Sequence, residues 1–156
     1  MYKENDLKIV SHLREDSRMS LTQISRRTGI PVSTIFERLK SRAHDIVKKN
    51  TCIIDFSKIG MHARAKIAIK VNPNQRDELR GFLEKNRNVN SLLKINNGFD
   101  YMIDIVFSNL KELEEFCELL DSSFRIKTKQ VYYVIEEISS ENFLSSPDTL
   151  PLVDVS

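Results

Sequence analysis

Apolar positions recur at helical intervals three times in the first forty-two residues. Leu7, Ile9, Val10 and Leu13, with charges between them, predict a helix over about residues 5–15. In MSLTQI, Ser20 and Gln23 hold the N-cap and N3 positions of a capping box, and Met19 and Ile24 hold the staple positions. This second helix ends near Arg27-Thr28, because Gly29 accepts the left-handed backbone that stops a helix. Pro31 cannot continue it, and its fixed φ suits the entry to a third helix over residues 32–42. The apolar stripe of that helix is Val32, Ile35, Phe36 and Leu39, and Ser33, Thr34, Glu37, Arg38, Ser41 and Arg42 lie largely on its other side. Two short helices about a glycine-containing turn, the second with a polar face, have the form of a helix-turn-helix.

Beyond it, Ile46-Val47 and Cys52-Ile53-Ile54 predict two short strands about a Lys48-Lys49-Asn50 turn, the hairpin of a winged helix. From Arg64 the period becomes two. Ile67, Ile69 and Val71 alternate with Lys66, Ala68 and Lys70, as in a strand with one buried face. Asn72-Pro73-Asn74 breaks it, and a helix over about 75–86 follows, with Leu79, Phe82 and Leu83 inward and Gly81 a mild weakness. Strands are predicted over Val89–Ile95, Tyr101–Phe107 and about Thr128–Ile138. Between the last two lies a helix begun by Asn109 and Glu112, with Leu113, Phe116, Cys117 and Leu120 as its stripe and Glu112, Glu114, Glu115 and Glu118 on a solvated side. The order β-α-β-β-α-β is that of a ferredoxin-like domain. The fold class is therefore α+β, a (winged) helix-turn-helix domain followed by a ferredoxin-like domain. The predicted boundaries are 1–50 for the head, 51–63 for a connector, 64–140 for the sheet domain and 141–156 for a loose tail.

One sheet face is predicted to carry Ile67, Ile69, Leu93, Ile95, Ile103, Ile105, Val131 and Tyr133 beneath the helices. The other face keeps Ala68, Leu92, Met102, Val106, Tyr132 and Val134, an apolar set that predicts a dimer interface. This division sets the hairpin register. Asn97-Gly98 is a strong signal for a two-residue turn, but that turn would pair Leu93 with Met102 and put Ile103 on the wrong side. A shift of one, pairing Leu93 with Ile103, predicts a loop of three or five residues that projects Asp100 outward.

Charge sharpens the assignment of the head. Residues 1–50 hold eleven Lys/Arg against six Asp/Glu, whereas the rest of the chain is slightly acidic, within a net charge of +2. A basic head implies a polyanionic partner. The candidate base contacts are Ser33, Thr34, Glu37, Arg38 and Ser41, with Arg38 offering a fork to guanine. Arg18, Arg26, Arg27, Lys40, Arg42, Lys48 and Lys49 are the candidate phosphate contacts. Cys52 and Cys117 predict buried thiols in a reducing cytoplasm. No apolar run reaches membrane-spanning length and no spacing suits a metal or cofactor, so neither is expected.

In order and spacing, DLKIVSHLREDSRMSLTQISRRTGIPVSTIFERLKSR, IIDFSKIG, GFDYMIDI and VYYVIEEIS resemble the Lrp/AsnC (leucine-responsive, feast/famine) family of transcriptional regulators over roughly residues 5–142. The resemblance implies a DNA-binding head and a sheet domain that dimerises, forms octamers in many members and often binds an amino acid. It places the effector at Asn97, Gly98, Phe99, Asp100 and Tyr101. Two departures stand out. Arg42-Ala43-His44-Asp45-Ile46 lacks the glycine that commonly precedes the wing, and Asn97 occupies the usual glycine position of the effector loop, with Gly98 one place late. The function expected is that of a sequence-specific, non-enzymatic regulator acting on double-stranded DNA as a dimer or larger assembly. The alternatives are a low-specificity architectural protein and a haem-pathway decarboxylase on the same layout. His12, His44 and His62 form no recognisable catalytic cluster for the latter.

Overall fold

The computed structural model describes residues 4–41, 46–146, 148 and 150. The chain divides into two compact units, Met1–Ile53 with Ile138–Ser156, and Ile54–Glu137.

The first unit contains helices α1 (Glu4–Glu15), α2 (Leu21–Thr28) and α3 (Val32–Ser41). The Ser20 side chain accepts from the Gln23 N–H while the Gln23 side chain accepts from the Ser20 N–H, so the capping box forms in full. Gly29 closes α2 at φ 72°. Ile9, Met19, Ile24, Ile30 and Ile35 make the core, with Leu13, Leu21 and Leu39 packed against it. The expected stripe of α3 is only partly inward. Ile35 is fully buried, but Val32 and Phe36 are exposed, because the narrow core among the described residues of the head takes one ridge of α3 rather than a band. The expected wing hairpin is absent among the described residues 46–55, which contain no strand. The described part of the tail expected to be loose makes specific contacts. Arg14 donates to the Phe143 and Glu141 carbonyls and pairs with the Glu141 carboxylate at 2.8 Å, and Leu150 is buried.

The second unit has β1 (Ala63–Val71), α4 (Arg76–Lys85), β2 (Val89–Lys94), β3 (Tyr101–Phe107), α5 (Leu110–Ser123) and β4 (Ile126–Tyr133). The strands form an antiparallel sheet in the order β2-β3-β1-β4, so the ferredoxin-like arrangement is borne out. Asn109 caps α5 by accepting from the Glu112 N–H at 3.0 Å. Leu79 and Leu83 of α4 and Leu113, Phe116, Cys117 and Leu120 of α5 cover Ala65, Ile67, Ile69, Ile103 and Ile105. Phe82 contacts the Phe116 and Phe124 rings, with centroids 6.4 and 5.3 Å apart. Cys117 is buried as expected, and desolvation pushes its thiol above the usual value, but Cys52 is exposed.

The register of β2 corrects the predicted one. Leu93 pairs with Met102 and Leu92 with Ile103, so Leu92 belongs to the helix side and Leu93 to the open face. A bulge at Asn90, between Val89 and Ser91, lets Val89 pair with Ile105 even so. The two-residue turn is therefore the real one. Phe99 N–H donates to the Asn96 carbonyl, and Asn97 and Gly98 have φ of 58° and 86°, the signature of a type I′ turn.

Candidate nucleic-acid interface and effector turn

Helix α3 has an inner and an outer side, and the two divide the predicted contacts. Ser33, Phe36, Glu37 and Lys40, at intervals of three, four and seven residues, are all exposed along one face. Ser41 is also exposed, although its hydroxyl donates to the Glu37 carbonyl at 2.7 Å. Thr34 is half-buried on the flank. Arg38 is not on this outer face. Its Nη1 lies 2.6 Å from Asp6 Oδ1, with the guanidinium 22% and the carboxylate 4% exposed. The fork expected to reach guanine is committed to holding α3 against α1. The sequence hides this partner because Asp6 is thirty-two positions away and looks like an ordinary first-turn acid of α1.

Around the helices, Arg18, Arg26, Arg27, Lys40, Lys48 and Lys49 are exposed, whereas Arg42 lies outside the described residues. Arg27 pairs with Glu15 at 2.9 Å, but both are half-exposed, and an ion pair of that kind is weak enough to be exchanged for a phosphate.

In the sheet domain, the five residues of the expected effector loop fall into two groups. Asn97 and Gly98 are exposed at the turn and Phe99 is half-buried. Asp100 and Tyr101 are buried and turned to structural use, contrary to the outward Asp100 expected from the sequence. The Asp100 carboxylate accepts from the Val71 N–H at 3.0 Å and pairs with Arg76 Nε at 2.8 Å and Lys70 Nζ at 3.6 Å. The Asp100 N–H donates to the Ile69 carbonyl, and the Tyr101 hydroxyl donates to the Arg76 carbonyl at 3.2 Å. Together these bonds fasten the base of the turn to the end of β1 and the start of α4.

The open face of the sheet is less uniformly apolar than its sequence pattern. Ala68 and Val106 are buried within the single chain, Met102 and Val134 are half-buried, and Leu93 and Tyr132 are about half exposed. Among them Arg64 grips Asp104 through two hydrogen bonds of 2.8 and 2.6 Å and pairs with Glu137, while its guanidinium lies over the Phe56 ring. The hydrogen bond that Arg64 donates to Asp104 leads in raising the Arg64 pKa. Burial pushes the Asp104 carboxyl upward, but the hydrogen bonds from Arg64 and Asn90 outweigh it and hold it below the ordinary carboxylate value. On the helix side, a hydrogen bond to Glu114 pushes the Tyr133 phenol up to about 12.

A basic helix-turn-helix joined to a ferredoxin-like domain defines a two-domain DNA-binding regulator. Residues 3–41 match the winged helix-turn-helix DNA-binding family model, and residues 64–143 match the Lrp/AsnC ligand binding domain. The chain belongs to the Lrp/AsnC family of transcriptional regulators. It is 33% identical over 120 residues to the HTH-type transcriptional regulator FL11 of Pyrococcus horikoshii, covering 76% of this chain and 80% of that one. It is 30% identical over 126 residues to the transcriptional regulator AzlB of Bacillus subtilis, covering 78% and 79%. Among solved structures, it resembles a Neisseria meningitidis transcriptional regulator in complex with L-Met, with a TM-score of 0.81 at 20% identity over 90% of this chain and 94% of that one. The B. subtilis LrpC structure gives 0.78 at 20% identity, over 90% and 98%. Among the described residues no helix is long and apolar enough to cross a membrane, and no group of His, Cys, Asp and Glu is placed to hold a metal ion.

Proposed function

We propose that this regulator binds specific double-stranded DNA as a homodimer or larger assembly, and that an amino acid or related small molecule modulates the binding. The observation that carries the reading is the outer face of α3, where Ser33, Glu37 and Lys40 stand exposed on a head rich in Arg and Lys. A recognition helix enters the major groove with such a face against base edges. Ser33, Thr34, Glu37 and Ser41 are assigned to bases, and Arg18, Arg26, Arg27, Lys40, Arg42, Lys48 and Lys49 to phosphates. Arg38 moves from base contact to positioning, on the strength of its bond to Asp6.

Self-association is supported by the apolar groups left in water on the sheet domain: Leu93, Tyr132 and the 99% exposed Ile135. With Leu92 moved to the helix side, the proposed interface is Leu93, Met102 and Tyr132, flanked by Ala68, Val106 and Val134. The effector reading is supported by the ligand-binding family model and by the L-Met bound to the Neisseria relative. Asn97, Gly98 and Phe99 are the proposed contacts, with Asp100 and Tyr101 fixing their backbone. The matched families are a DNA-binding domain and the Lrp/AsnC ligand binding domain, and the relatives FL11 and AzlB are transcriptional regulators, which favours this role over the decarboxylase alternative. The protein would act in the cytoplasm.

Selection from a random duplex library, followed by salt titration of the recovered site, tests the DNA reading. A defined consensus is expected, with affinity falling linearly on a log-log plot against salt. Equal binding to all duplexes would replace it with the architectural role. A thermal-shift screen of the twenty amino acids tests the effector: at 100 times its dissociation constant a ligand adds ~2.7 kcal/mol of stability.

A further inference from the structure

The inner side of α3 is fully occupied. Ile35 is completely buried, Leu39 packs against the core, and Arg38 is bound to Asp6. The outer side is polar or cationic except at one place. Phe36 is 54% exposed and Val32, one turn before it, is 41% exposed, so an aromatic ring and a branched chain stand together in water. Neither belongs to the core of the head.

The surroundings restrict what can cover them. From Ser17 to Asn50 the chain has eight Lys/Arg and two acids, so a polyanion is the partner for which this surface is built. The major groove of a polyanionic duplex presents polar base edges and one apolar group, the C5-methyl of thymine, which Phe can contact. Ser33, Glu37 and Lys40 flank Phe36 on the same face and are of the kinds that meet base edges and phosphates.

We infer that Phe36, with Val32 beside it, packs on a thymine C5-methyl in the major groove and selects a T·A pair in each half-site. This rests on the proposed DNA reading and adds to it a specificity residue that works by methyl contact rather than by hydrogen bonding. The head thus combines two kinds of readout on one helix face, apolar at Phe36 and polar at Ser33 and Glu37.

The full-length protein and its Phe36→Ala variant are titrated against the selected duplex and against duplexes in which each thymine is replaced in turn by deoxyuracil. Removing one buried methyl should weaken the native protein about fourfold at one position per half-site, equivalent to ~0.8 kcal/mol. Phe36→Ala should bind the thymine duplex more weakly and lose the thymine preference at that position alone. Phe36→Leu, which keeps an apolar chain, should retain part of it. Because Phe36 lies outside the core, the melting temperature of the variant should match the native one, so that a folding defect is separable. Three outcomes overturn the inference. In one, the native protein binds all the uracil duplexes as it binds the thymine duplex. In another, Phe36→Ala weakens every duplex equally and leaves the thymine preference in place. In the third, Phe36→Ala changes the oligomeric state in sedimentation, which would mean that a second copy covers the ring. A selection that returns no consensus fails the DNA reading itself; a consensus with silent thymine methyls fails only the role of Phe36.

Discussion

Replacing Asp100 separates a structural carboxylate from a ligand-facing one. Asp100→Ala would leave the Val71 N–H at the end of the central strand without its acceptor and remove the anion between Arg76 and Lys70. An orphaned buried donor costs about 1–3 kcal/mol. Breaking a fully buried ion pair can cost about 3–5 kcal/mol. The Arg76 side chain is 43% exposed and can turn to water, so only a fraction of that second cost applies. A total of roughly 2–4 kcal/mol follows. In a unit the size of Ile54–Glu137, each kcal/mol moves the melting temperature by roughly 4–8 °C, so a fall of about 10 °C or more is expected for the sheet domain. Asp100→Asn retains a carbonyl for Val71 and should lose about half as much. Differential scanning calorimetry of the full chain is the assay, since the two units need not unfold together. If Asp100→Ala melts within a degree or two of the native protein, the inward role of this carboxylate is wrong. The outward, effector-facing Asp100 expected from the sequence would then return.

Arg38→Ala should destabilise the head by roughly 1–3 kcal/mol in the same calorimetry, because it removes a charge-assisted hydrogen bond from a buried carboxylate. It should also weaken binding to all duplexes rather than relax one base position. The Asp104 carboxyl is held below its unfolded value, so its contribution to stability is complete above about pH 4 and is lost as pH falls through the folded value. A pH series of urea melts should show this acid loss, and Asp104→Asn should abolish that part of it. Gly81 lies inside α4 with open space where a Cβ would stand, so Gly81→Ala should stabilise the sheet domain by about 0.5–1 kcal/mol, visible as a higher urea midpoint.

Local signals carried most of the fold from sequence to structure. The Ser20–Gln23 box, the Gly29 stop and the Asn109 cap each act within a few residues, so adjacent letters reveal them. The limits of β3 were legible for a similar reason, since the apolar run Tyr101–Phe107, interrupted only by Asp104, is bounded by Asp100 and Ser108. β2 was not, because Leu92 and Leu93 are both apolar and the Asn90 bulge breaks the period of two that would choose between them. Keeping one continuous period forced a longer loop onto what is a two-residue turn. In the candidate site, charge singled out the head, but long-range pairing redistributed the residues of α3. Asp6 takes Arg38 and the end of β1 takes Asp100, partners that no spacing rule encodes. Arg14 likewise binds Glu141 and Phe143 across more than a hundred positions. Phe36 was hidden by an opposite effect: its place in an apolar stripe suggested core, and only the narrowness of the head reveals it as surface.

The most direct measurement is a side-by-side selection of duplex sites by the native protein and by Glu37→Gln. Glu37 is exposed on the outer face of α3, so the substitution leaves the core of the head intact while exchanging an acceptor carboxylate for an amide. The native protein should return one consensus, and Glu37→Gln should return it with a changed preference at a single position of each half-site. An unchanged consensus would show that Glu37 does not read a base, and the absence of any consensus would contradict specific recognition altogether.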